Sequence, residues 1–238
     1  AQPIQVNTAD LVVENLVVPA NVEPNVNYSV TFNVRNQGSS TATGNAATRI
    51  FYSDDNIAGN SDDISVISSF NVSNLAAGAT SPQTRTVNIP TLPVRNSGPG
   101  FFYVTVDSGN VIAEGTSMGE SNNTTFAATT FDYRVPDLQV TATNAPADVD
   151  TDTAFSLSWT TANAGNKSTT ANFVDRVYLS TDQTVGGDTT LGNFTLTGGL
   201  AAGATADRIQ NITIPYANVP ASGTYYLLIQ TDATTLVN

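Results

Sequence analysis

The chain has 238 residues, only 12% of them charged, about half the usual share, with eight basic against twenty acidic residues and a net charge of -12. The basic residues are scattered, so no cationic stripe exists to release phosphate counterions, which excludes nucleic acid and anionic lipid as partners. Without cysteine or histidine there is no disulfide, thiolate zinc site or haem ligand, and only hard cations with oxygen ligands remain open.

The opening AQPIQVNTA has neither the charged start nor the apolar stretch of a signal peptide. No apolar run approaches the ~18 residues of a membrane span. Lacking an initiator Met, the chain reads as a processed product or an excerpt of something longer. From Asp10 onward it breaks into short strand-like runs. In YSVTFNV, Tyr28, Val30, Phe32 and Val34 alternate onto one face, the period of a half-buried strand. RIFY (49–52) and FFYVTV (101–106) are rich in β-branched and aromatic residues. Turn signals separate them: NQGSS, DNIAGNSDD, LAAGATS and NSGPG. Pro90, after VNI, fits a strand end because proline cannot donate to a ladder.

The second half repeats the first. ADLVVENLVVP (9–19) returns as PDLQVTATNAP (136–146), YSVTFNVRNQG as FSLSWTTANAG, FYSDD as YLSTD, NLAAGAT as GLAAGAT, VNIP as ITIP, and GFFYVTV (100–106) as GTYYLLI (223–229). Six landmarks in one order argue for duplication. No long stretch has a helical period. About seven short strands per repeat predict an all-β fold of two tandem immunoglobulin-like antiparallel β-sandwiches. Repeat 1 spans 10–134 and repeat 2 spans 135–238, with residues 1–9 as a strand-like extension. Trp159, alternating with Phe155 and Leu157 and aligned with Phe32, reads as core rather than as a sugar platform.

These residues resemble the bacterial and archaeal CARDB domain, named for cell adhesion. The pattern is carried by Asp10-Leu11 and Asp137-Leu138, by Asn36 with Gly38 and Asn163 with Gly165, and by Ser53 with Asp55 and Ser180 with Asp182. It continues through Asp62 or Asp63 and Asp188, Gly78 and Gly203, Pro90 and Pro215, Gly100 and Gly223, and Asp107 and Asp232. Glu114, Glu120, Asn122 and Asn123 follow in repeat 1 alone. The resemblance implies sandwich modules of multidomain, extracellular or cell-surface proteins with adhesive or scaffold roles, and no enzymatic activity. Repeat 1 departs by three extra residues between Glu114 and Glu120.

Repeat 2 stops before any counterpart of EGTSMGESNNTTFAATTFDY, so it lacks its last strand. Meanwhile AQPIQVNT aligns with TTFDYRV and looks like the tail of such a strand. An excerpt from a longer array explains both ends. Head-to-tail assembly explains them too: one copy's N-terminal strand would complete the next copy's sandwich and build a fibre.

Asp54, Asp55, Asp62 and Asp63 crowd into one loop, with Asp182 and Asp188 at the same place in repeat 2. The loop is not an EF-hand, because Ala58 and Ser65 fail the fifth and twelfth positions. Calcium would relieve the mutual repulsion. Asp107, Glu114 and Glu120 would add ligands if their turn lies at the same end of the sandwich. The competing reading is a solvated turn stabilised by Asx hydrogen bonds. ADVDTD (147–152) reads as a solvated hairpin loop. Three functions compete. A structural or adhesive surface module would meet copies of itself, adjacent repeats, surface glycans or proteins. A carbohydrate-binding module attached to a secreted enzyme or surface protein would use exposed rings such as Phe101, Tyr103 or Tyr225. An enzyme is disfavoured: without His or Cys only carboxylate pairs or a Ser-Lys arrangement remain, and Lys167 sits in a turn.

Overall fold

In a computed structural model, which describes residues 1–91, 97–115, 120–219 and 221–237, the chain divides into two compact units, 1–133 and 134–238. Unit 1 contains β1 (Leu11–Val17), β2 (Asn21–Val22), β3 (Asn27–Asn36), β4 (Ala42–Ser53), β5 (Ile64–Leu75), β6 (Thr80–Asn88), β7 (Gly98–Thr105), β8 (Thr124–Phe126) and β9 (Phe131–Tyr133). One sheet runs β1-β3-β6 and the other β2-β9-β7-β4-β5, with β8 also on β7. Val30, Phe32 and Val34 of β3 face Ile50, Tyr52, Phe102 and Val104 of the second sheet, all buried. The period-two pattern is thus the inner face of a sandwich.

The expected single last strand is broken in two. β8 pairs with Tyr103–Thr105 and β9 with Gly98–Gly100, on the same edge of β7. Between them the backbone holds on through Ala127 N–H donating to Phe102 O at 2.8 Å. β8 also closes the sandwich, because Thr125 Oγ1 donates to Val13 O on β1 at 3.0 Å. β9 brings Phe131 and Tyr133 onto Tyr52 and Phe102, with the Phe102 and Phe131 ring centroids 4.8 Å apart. Gly100 is required there: a Cβ would lie 2.5 Å from the Phe131 ring.

Unit 2 contains β10 (Leu138–Asn144), β11 (Ala154–Asn163), β12 (Phe173–Ser180), β13 (Thr189–Leu196), β14 (Thr205–Thr213) and β15 (Tyr226–Gln230), with a 3-10 turn at Tyr216–Asn218. Its sheets run β10-β11-β14 and β13-β12-β15. Leu157, Trp159, Val177 and Ile212 form the core, so Trp159 is buried as its alternation predicts. Among the described residues no strand follows β15, and the strands that β8 and β9 cover in unit 1 are less covered here. Leu11 and Val13 are buried on β1, whereas their equivalents Leu138 and Val140 on β10 are only half-buried. Strand pairing also corrects one alignment. Tyr52 sits opposite Phe102 and Leu179 opposite Leu227, which equates Gly98 with Gly223 and Gly100 with Tyr225. Glycine-to-glycine matching of Gly100 with Gly223 is two residues out of this register; because the shift is even, the core face is unchanged.

Candidate functional site

The Asn-x-Gly motif is a buried clamp. Asn36 Oδ1 accepts from the N–H groups of Asp10 and Gly38, each at 3.1 Å, and its Nδ2 donates to the carbonyls of Ser40 and Leu75, each at 2.8 Å. Asn163 does the same with Asp137 and Gly165 N–H and with Lys167 and Leu200 carbonyls. All four hydrogen-bonding sites of the amide are used. The glycine lets the entering chain pass: a Cβ on Gly38 would meet Thr8 O at 2.4 Å, and one on Gly165 would meet Val135 O at 2.3 Å.

The 54–63 loop spends its carboxylates on its own donors. Asp62 Oδ2 accepts from buried Ser53 Oγ at 3.1 Å and Asp54 N–H at 2.9 Å. Asp55 Oδ1 accepts from Ile57 N–H at 2.8 Å, the Asx turn, and its carboxylate also takes Asn60 Nδ2. Asp63 Oδ2 accepts from the N–H groups of Gly59 and Asn60, and Asp54 accepts from Tyr52 Oη. Repeat 2 keeps the frame with fewer parts. Ser180 Oγ accepts from Asp182 N–H at 3.1 Å, and Asp182 accepts from Thr184 N–H at 2.7 Å. Hydrogen bonds from Ser180 and then from Gly186 N–H hold the Asp188 carboxyl below its usual range. In both loops a serine and two aspartates fix the turn. Burial, followed by the neighbouring Asp63 carboxylate, pushes the Tyr103 phenol above its usual range.

Asp107, Glu114 and Glu120 form a second group. β4 pairs with β7 so that Ser53 lies beside Phe101 and Arg49 beside Thr105. The 54–63 loop and the turn after β7 therefore lie at opposite ends of β7, not at one end. Asp107, at φ +46°, caps its turn by accepting from Ile112 N–H at 2.7 Å, and Asp232 at the equivalent place accepts from Leu236 and Val237 N–H. Asp107 is 3% exposed, and its Oδ1 has no hydrogen-bond partner among the described residues. Burial, and then the charges of Glu120, Asp107 and Asp10, push the Glu114 carboxyl up to about 7, against an opposing hydrogen bond from the Leu11 backbone. Asp10, which sequence reasoning assigned only to the strand-start motif, thus belongs to this corner. Residues 116–119, within the Glu114–Glu120 insertion, lie outside the described residues. Among the described residues no three acidic side chains are gathered tightly enough to cage one metal ion.

Of the rings considered for sugar stacking, Tyr103 is buried against Phe51 and Phe126, with 4.7 Å between the Tyr103 and Phe51 centroids, and Phe101 packs edge-on to Phe126. Tyr225 is half-buried, and its hydroxyl donates to Ala221 O at 3.0 Å.

Two sandwiches in tandem, each pinned by a buried asparagine and capped by an Asp-bearing turn, define a repeat module of immunoglobulin-like type. The chain belongs to the CARDB family, whose model matches residues 8–127 and 135–238. Among solved structures, the CARDB domain of a Pyrococcus furiosus protein in complex with di-metal ions is 20% identical over 55% of this chain and 96% of that one, with a TM-score of 0.37. A solution NMR structure of that domain is 22% identical over 54% of this chain and 95% of that one, with a TM-score of 0.35. The Pseudomonas fluorescens alkylpurine DNA glycosylase AlkC, bound to DNA containing an abasic site analog, is 17% identical over 53% of this chain and 31% of that one, at 0.35. No curated protein matches the chain. No helix among the described residues is long and apolar enough to cross a membrane.

Proposed function

We propose that the chain is a non-catalytic structural or adhesive module of a prokaryotic surface protein. The observation that carries this reading is the tandem CARDB duplication, with both copies built on the same asparagine clamp and the same fixed acidic turn. An antibody to the chain is expected to label intact source cells, and protease applied to intact cells to remove the signal. Labelling that appears only after lysis would overturn the reading. Its finer form is a fibre in which one copy's N-terminal segment completes the next copy's second sandwich.

A second reading concerns calcium, and Asp107 Oδ1, buried and without a hydrogen-bond partner among the described residues, favours it. The 54–63 loop also holds buried Asp63 Oδ1 and Asn60 Oδ1 without a hydrogen-bond partner among the described residues, but each of its carboxylates is engaged by at least one donor. The Asp107 corner is preferred because burial and neighbouring negative charge work against an ionised Glu114, a conflict that a cation relieves. Asp107 with Glu114 alone would hold the ion, in a shell completed mostly by carbonyls and water, and affinity would be near the millimolar range of extracellular modules. Calcium at about 5 mM is expected to raise the melting temperature of unit 1 by about 2–5 °C. Asp107→Asn should abolish that rise, while Asp55→Ala with Asp62→Ala should leave it intact. An unchanged melting temperature for the parent chain would count against calcium.

A further inference from the structure

β14 ends the sheet β10-β11-β14, and no strand lies beyond it among the described residues. β6 holds the same place in unit 1 and is an edge too, so the opening belongs to the repeat itself. β14 pairs with β11 over nine residues without a register shift. The direction of its backbone groups follows from one bond. Asn163 N–H donates to the carbonyl of Ala204, just before β14, at 3.0 Å, so the residues bonded to β11 are the even ones. Thr205, Asp207, Ile209, Asn211 and Thr213 therefore turn their N–H and C=O groups outward, because an antiparallel strand alternates sides residue by residue. Unit 1 agrees with this parity. Pro82 lies opposite Asn33 as Asp207 lies opposite Thr160, and a proline fits inside an edge strand only where its nitrogen faces out.

Sheet edges are ordinarily blunted by proline, bulges or charge. β6 has Pro82, which leaves a gap among its outward donors. β14 has neither a proline nor a bulge. Its sequence, TADRIQNIT, is self-complementary about Ile209. Turned through 180° against a second copy, Ile209 meets Ile209, Asp207 meets Asn211 and Thr205 meets Thr213 on the outer face. On the inner face Arg208 meets Gln210 and Ala206 meets Ile212. No carboxylate faces a carboxylate and no guanidinium a guanidinium, in a chain whose net charge is -12. Ile209 is 71% exposed, and its own counterpart, directly opposite, would cover it.

We infer that β14 binds β14 of a second copy of this chain, antiparallel about a two-fold axis through Ile209, and joins two three-stranded sheets into one of six. The five outward residues of each copy exchange about ten hydrogen bonds, the number typical of a specific protein interface. The contact is isologous, so it closes as a dimer, and it does not depend on the head-to-tail reading.

The parent chain is expected to form a concentration-dependent dimer in analytical ultracentrifugation. Asp207→Pro, which gives β14 the residue that β6 carries, should weaken the dimer by about tenfold or more while the unit 2 melting transition stays in place. Ile209→Lys sets two cations against each other and should weaken it similarly, and it decides the matter if the proline disturbs folding. The chain has no cysteine, so the register can be read by disulfides. Residues paired across the two-fold axis sit about 5.5 Å apart at Cα, within disulfide reach. Ile209→Cys alone should give a linked dimer, as should Asp207→Cys mixed with a size-tagged Asn211→Cys, whereas Thr205→Cys alone should not. A parent chain that stays monomeric up to about 1 mM, a dimer indifferent to both Asp207→Pro and Ile209→Lys, or linking no stronger at Ile209 than at Thr205 would each overturn the proposal.

Discussion

Asn163→Ala is expected to destabilise unit 2 by about 3–5 kcal/mol and to lower its melting transition by roughly 10 °C or more, while the unit 1 transition stays in place. The side chain is 1% exposed and makes four hydrogen bonds to backbone groups from three separate segments. Alanine removes those bonds and strands the N–H groups of Asp137 and Gly165 in a site water cannot easily reach, at about 1 kcal/mol or more for each, while the Leu200 carbonyl keeps only its bond from Thr169 N–H at 3.0 Å. Asn163→Asp should be no better. It keeps the acceptor, loses both donors, and sets a carboxylate against the Lys167 and Leu200 carbonyls. Asn36→Ala should mirror the effect in unit 1. Calorimetry that resolves two transitions is the measurement, since a two-unit chain need not melt in one step. If Asn163→Ala moved the unit 2 transition by less than about 2 °C, the clamp would not be what fixes the strand start.

The clamp also shows what a single sequence can and cannot reveal. Asn36 and Asn163 were visible as a repeated motif, and the strands around them as alternation, because both are periodic properties of the chain itself. The acidic loops were visible as composition. Which carboxylates lie near which was not, because it depends on strand direction: β4 and β7 run antiparallel, which sends the 54–63 loop and Asp107 to opposite ends. The break between β8 and β9 was hidden as well, since TTFAATTFDY carries no proline or glycine at the break. The place of β15 depends on register as well: identity pairs Gly100 with Gly223, whereas the ladder puts Tyr225 where unit 1 has Gly100.

Trp159→Phe, Thr161→Val and Asp175→Thr together are expected to leave unit 2 within about 1 kcal/mol of its starting stability, although Asp175→Ala alone should cost about 3 kcal/mol. Asp175 is fully buried, and its Oδ2 accepts from Trp159 Nε1 at 2.8 Å and Thr161 Oγ1 at 3.1 Å. Arg208 Nη1 lies 3.9 Å from the same oxygen, and its guanidinium sits over the indole, 5.8 Å from the ring centroid. Removing the carboxylate alone strands an indole N–H and a hydroxyl, and it leaves the Arg208 guanidinium with its bond to Thr195 O but no counter-charge at Asp175. Unit 1 has Phe32, Val34 and Thr48 at the three equivalent places and buries all of them. The duplicated fold therefore already contains both solutions, one polar and joined through Asp175 Oδ2, one almost wholly apolar. Each is self-consistent, and a hybrid of the two is not. Urea denaturation of the singles, the doubles and the triple variant would give the coupling energy, expected at about 2 kcal/mol between Trp159 and Asp175. Additive losses across the three sites would mean that the indole and the carboxylate are independent, and that the substitution pattern between the two units has some other cause.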